Sequence, residues 1–159
     1  MRIGEIAVVA PNASDKRLFI RGASDSVNHV NERLAFGTCN INTQLTLHLY
    51  GITITPAKAD IAWDFIAHRL LGYIVLFQWG DSESFRSIQP TVDELTSTQD
   101  TALITAGYAR QPINSLSPVF EKGVPIDRNG ALTFCNLEDR ASIKTTLLAL
   151  IEKVINQIK

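Results

Sequence analysis

Cysteine and histidine are scarce in this chain of 159 residues: there are two of the first, Cys39 and Cys135, and three of the second, His29, His48 and His68. No C-x-x-C pair occurs, and none of these residues stand at the short spacings that zinc ligands keep, so no metal site is expected. Charge of one sign is lacking too. Fifteen Lys and Arg stand against 16 Asp and Glu, a net charge of −1 with both signs interspersed. That balance gives no electrostatic reason to bind nucleic acid or an acidic membrane surface. No apolar run approaches the ~18–20 residues of a membrane span, and residues 1–6 lack the pattern of a signal peptide, so a cytoplasmic protein is expected. Repeats, low-complexity tracts and linkers are also missing, which leaves residues 1–159 as one domain.

What is present is material for a core. Apolar residues make up 45% of the chain and charged ones 19%. A domain of this length buries roughly two thirds of its unfolded surface without needing disulfides or metal. The apolar runs 6–10, 73–77 and 101–106, each bounded by turn residues, read as strands buried on both faces of a parallel sheet, with 131–135 as the last strand. Residues 33–41 and 44–50 read as two strands joined at Asn42-Thr43. The second alternates Leu45, Leu47 and Leu49 against Thr46, His48 and Tyr50, the pattern of a half-buried antiparallel pair near a sheet edge.

Helices are expected over 16–24, with Ser14 or Asp15 as N-cap, and over 56–71, with Gly72 just past its end. A third, capped by Asp81 or Ser82, carries Phe85, Ile88, Val92 and Leu95 and contains Pro90, where a kink is expected. A short one lies between Pro118 and Gly123. The last, 139–158, has Ile143, Leu147, Leu150 or Ile151, Val154 and Ile158 on one apolar stripe. Segments 24–31, 51–55 and 107–114 read as loops. Strands alternating with helices in the order β-α-β-β-α-β-α-β-α-β-α give a three-layer α/β fold with a mostly parallel sheet.

In such folds ligands bind where the first strand turns into its helix. A phosphate-binding loop there would read G-x-x-x-x-G-K-[ST]. Lys16 stands in place, while Ala10 and Asp15 replace the two glycines and Arg17 replaces the Ser/Thr. Over nearly its whole length the chain resembles the bacterial small GTPases of the gliding-protein type, which are similar to Arf proteins. The run Ala10-Pro11-Asn12-Ala13-Ser14-Asp15-Lys16-Arg17-Leu18-Phe19-Ile20 looks like that family's G-P-x-G-A-G-K-T-T-F-I. Ala35-Phe36-Gly37 looks like its D-F-G, and the run from Leu49 through Gly51 to Thr55 looks like its L-F-G-T-P-G-Q. Residues 71–77 and 135–150 match in type and spacing.

This resemblance implies a Ras-like P-loop NTPase fold: a six-stranded, mostly parallel sheet with one antiparallel edge strand, ordered 2-3-1-4-5-6 when the strands are numbered along the chain. It also implies that Cys39 and Cys135 lie at opposite sheet edges, about 20–25 Å apart at ~4.8 Å per strand, too far for a disulfide.

Residues Ala10 to Arg17 then read as a vestigial phosphate loop. Glycines let backbone N–H groups turn toward phosphate oxygens, and alanine is less free to do so. A carboxylate ~4 Å from a phosphate oxygen adds roughly 4 kcal/mol of repulsion at an effective dielectric of 20, so Asp15 opposes nucleotide. Arg17 removes the hydroxyl that would hold Mg²⁺. Thr55 stands where the water-positioning Gln would be and Ile54 where a glycine contacts the γ-phosphate. Residues 106–110 offer no N-K-x-D for the base.

The expectation is a catalytically inactive, GTPase-like interaction module with no cofactor. The Asp15 carboxylate would occupy the anion site, held by the helix N-terminus and Lys16 in a collapsed loop. The alternative is a divergent protein that still binds GTP and Mg²⁺ through Lys16. Phe36, Ile52, Ile54 and Phe65, in or beside the family's switch segments, are the candidate interaction surface, while Trp63 reads as core. By the resemblance the partner would be a longin or roadblock-like module or a second copy. A Ser-His-Asp hydrolase is rejected for want of a G-x-S-x-G elbow. A small-molecule enzyme on a flavodoxin-like sheet is rejected for want of a catalytic constellation.

Overall fold

The apolar run ending at Ala10 forms the middle of a sheet. In the computed structural model, which describes residues 2–29, 34–53, 70–79, 82–98, 102–109, 124–125 and 130–158, it is β1 (Arg2–Ala10), and every residue from Ile6 to Ala10 is buried. A strand covered on both faces needs no polar alternation, and β1 has parallel neighbours on both sides. It is followed by α1 (Ala13–Ala23), β2 (Ser26–His29), β3 (Leu34–Asn40), β4 (Leu45–Thr53), β5 (Gly72–Gln78), α2 (Ser82–Thr98), β6 (Ala102–Ala109), β7 (Val124–Pro125), β8 (Gly130–Asn136) and α3 (Arg140–Ile158).

The architecture is α/β with a mostly parallel, mixed sheet. Its strand count corrects the six-stranded expectation, and with it the overall order: among the described residues there are eight strands, in the order β2-β3-β4-β1-β5-β6-β8-β7, with β2 and β7 added outside the six expected ones. Both additions are short strands that lengthen the sheet at its edges. β2 holds one apolar residue, Val27, and so reads as polar loop, and two-residue β7 is too short to show any period. The antiparallel strand β3 is correspondingly not at the edge, because it pairs antiparallel with β2 on one side and with β4 on the other. β7 adds a second antiparallel pair, with β8.

Alternation along the strands sends two cores to opposite faces. Ile6, Val8, Ile74, Leu76 and Ile104 pack with Phe19 and Ile20 of α1 and Ile143, Leu147 and Leu150 of α3. Ala7, Val9, Tyr73 and Val75 pack with Ile88 and Val92 of α2. Helices on both faces make the three layers. α2 runs through Pro90. Leu70 and Leu71, expected as the last turn of a helix, are not helical. The Leu71 N–H donates to the Glu5 carbonyl at 2.8 Å, and Gly72 opens β5. The rest of that expected helix and the short one near Pro118 lie outside the described residues. Among the described residues no helix is long and apolar enough to cross a membrane.

Cys39 and Cys135 are buried and free. They sit on β3 and β8, five strand steps apart in the sheet, about 24 Å at ~4.8 Å per step, whereas a disulfide needs Cα atoms within ~7 Å. Burial raises the pKa of both thiols, helped at Cys39 by the Asp25 carboxylate. Non-reducing mass spectrometry should therefore find two free thiols in the folded monomer, reacting with a thiol reagent far more slowly than after unfolding. An intramolecular bond would overturn this placement of the strands.

Candidate functional site

The site is built at the junction of β1 and α1. Asn12, in extended backbone conformation, caps the helix: its Oδ1 accepts from the Ser14 N–H and from the Ser14 hydroxyl, each at 2.8 Å. Its carbonyl accepts the first helical bond, from Lys16 N–H at 3.2 Å. This corrects the expected cap at Ser14 or Asp15. An Asx cap two residues upstream satisfies the orphan donors of the first turn, and it moves Asp15 inside that turn, where a carboxylate complements the helix dipole.

Asp15 is only 2% exposed, and Tyr108 Oη donates a hydrogen bond to its Oδ2. Tyr108 comes from the C-terminal part of β6, which runs to Ala109 instead of ending in a loop after Ala106. The alternation Ile104, Ala106, Tyr108 sends these side chains to the α1 face. From there Tyr108 reaches past β5, which lies between β6 and β1.

Lys16 is 0% exposed. Its stem lies over Gly51 of β4: a Cβ at Gly51 would stand 2.8 Å from Lys16 Cγ and 3.0 Å from Ile20 Cγ1. Only a glycine in β4 leaves room for this lysine to be enclosed. Its pKa is lowered from 10.5 to about 8, first by burial and then by the neighbouring Arg17 charge. Arg17, one residue on, is half-buried on another side of the helix. It lines an open groove of about 370 Å³ with Ser14, Leu18, Arg21, Leu137 and Glu138. Ala10 is buried in the sheet core, Pro11 is half-buried, and Asn12 and Ser14 are exposed. Ala13 opens the helix.

The residues expected as an interaction surface separate. Phe36 is half-buried and meets His48 edge-on at 5.2 Å and Tyr50 at 5.3 Å. Tyr50 Oη in turn donates to Glu5 Oε1 at 3.1 Å. Ile52 is corrected to core: β4 continues through Thr53, so Ile52 pairs with Val9 and is buried with Ala7 and Val9. Ile54 and Phe65, like Trp63, lie outside the described residues.

Trp79, which no sequence motif marks, stands directly after β5. It is half-exposed, stands edge-on to Phe134 at 4.5 Å, and crosses Gly107, where a Cβ would come within 3.2 Å of its ring. Its position just past the end of a buried strand is the one feature that the sequence offers for it. Among the described residues no three of His, Cys, Asp and Glu gather as a metal ion would require.

The carboxylate of Asp15 and the ammonium of Lys16 are both withdrawn from solvent. No protein-family model matches the chain, and no curated protein does either.

Proposed function

We propose that this chain is a catalytically inactive GTPase-like domain, a pseudo-GTPase, that works as a protein-interaction or regulatory module. The observation that carries this reading is the buried Asp15–Tyr108 hydrogen bond at the loop position where a GTPase holds phosphate. A carboxylate in the first turn of α1 uses the same dipole and amide field that would draw an anion. It also adds repulsion of several kcal/mol toward an incoming phosphate. Lys16, enclosed over Gly51, further supports a closed loop. A resident partner of the longin or roadblock-like kind follows from the family resemblance, with Phe36, His48 and Tyr50 as the aromatic group nearest the switch positions.

Calorimetric titration with GTP and with GDP in the presence of Mg²⁺ tests this reading. No heat of binding is expected up to about millimolar ligand, that is, no interaction stronger than ~4 kcal/mol. Micromolar binding would overturn the proposal and establish the alternative, a divergent nucleotide-binding protein using Lys16.

A further inference from the structure

At the end of the sheet opposite the phosphate loop, α1 is too short for the strand it covers. Eleven residues of helix reach roughly 16 Å at 1.5 Å per residue, whereas the nine residues of β1 extend roughly 30 Å at 3.3 Å each. α1 starts at the C-terminal end of β1 and runs back over it, so it stops short of the N-terminal half of β1 and the start of β4, where among the described residues only α3 adjoins that face. An apolar groove of about 680 Å³ results, walled by Gly4, Leu45, Leu47 and Leu71 of the sheet side and by Ile151 and Ile155 of α3. Leu71 Cδ1 lies where a Cβ on Gly4 would fall, 2.7 Å away, so the floor is close-packed side chain.

Beside this groove α3 carries an outward ridge. Leu148 is 54% exposed and Ile155 47%. With Glu152, also exposed, they stand at i, i+4 and i+7, which is one face of a helix. Ile155 belongs both to the ridge and to the groove wall, so the two features adjoin on a single surface. Arg2, exposed, stands at the groove mouth.

We infer that this surface binds a second copy of the chain, the α3 ridge of each copy lying in the groove of the other. An apolar ridge next to an apolar groove is complementary to itself under a two-fold rotation, which is the requirement of an isologous dimer. The charges agree: the ridge presents an acid, Glu152, and the groove mouth a base, Arg2, so the same rotation brings opposite signs together twice. Two large side chains exposed two turns apart on one helix fit the apolar centre of such an interface. The surface lies away from α1's first turn, so this inference stands or falls separately from the pseudo-GTPase reading.

Sedimentation velocity on the full chain from about 1 to about 500 μM tests it. The parent protein should pass from monomer to dimer within that range. Leu148→Glu together with Ile155→Glu should weaken association at least about 30-fold, the size expected for loss of interface hot spots. Both positions are exposed, so circular dichroism and thermal unfolding of the variant should match the parent. Arg2→Glu and Glu152→Arg should each weaken the dimer about tenfold, and the two combined should restore it to within about threefold of the parent. A parent protein that stays monomeric at the highest concentration would overturn the inference. So would a dimer indifferent to the Leu148 and Ile155 changes, or a double charge swap no tighter than its single variants.

Discussion

A Lys16→Met variant is expected to be more stable than the parent at pH 7, by about 1–3 kcal/mol in denaturant titration, with the gain shrinking as pH rises. Methionine keeps an unbranched stem of similar length over Gly51 and removes a charge held away from water, a substitution buried sites usually tolerate. The expected size follows from the lysine's titration. Its pKa falls from 10.5 to about 8 on folding, and each unit corresponds to about 1.4 kcal/mol of preference for the unfolded, charged state. Between about 8 and 10.5 the unfolded chain binds more protons than the folded one, so this group makes stability rise with pH there. Its penalty is complete below about 8 and fades above it. The difference between variant and parent should therefore be flat from pH 6 to 7.5 and decline toward pH 10. A loss of stability at pH 7, or a difference that ignores pH, would show that the interactions of the ammonium outweigh the cost of its burial.

Tyr108→Phe should cost about 1.5–3 kcal/mol, the usual size when a hydrogen bond to an acidic group is removed and its buried acceptor remains. The ring is fully enclosed in the α1-side core, so the phenylalanine keeps the packing and the hydroxyl alone is tested. In a double-mutant cycle with Asp15→Ala, the two changes should couple by about 1–2 kcal/mol, because each deletion removes the same Tyr108–Asp15 bond. Additive effects would mean that the Asp15–Tyr108 bond does not hold the first turn of α1 to β6, and the closed-loop reading would lose its main support.

Much of the scaffold can be read from residues alone, since continuous apolar runs and alternation report burial directly. Ile6–Ala10, Tyr73–Phe77 and the Leu45, Leu47, Leu49 alternation all become strands. The site is less legible. Lysine is almost never fully buried, so nothing local marks Lys16 as enclosed, and the space for it comes from a missing side chain 35 positions later, at Gly51. The bond from Tyr108 to Asp15 spans 93 positions and has no sequence pattern. It could be approached only by extending β6 to Ala109, after which parity alone puts Tyr108 on the α1 face. The cap is not legible because Asn12, Ser14 and Asp15 are all good N-cap residues, and which one holds the helix depends on where β1 stops. Ile52 reads as loop because Gly51 interrupts the strand pattern, although that glycine is there to admit a side chain from α1.

The brief strand β7 has a meaning for how this sheet can meet other chains. A sheet edge is a row of unsatisfied donors and acceptors that invites a further strand, and proteins guard against this with very short strands and proline. Among the described residues, the sheet beyond β8 consists of Val124 and Pro125, and the proline has no N–H to give. Strand-by-strand addition over these two described residues, whether by a peptide partner or in an amyloid-like stack, finds at most one backbone donor to start from. At Pro125 the margin is thereby closed to backbone pairing, and a neighbour there would have to be met by side chains.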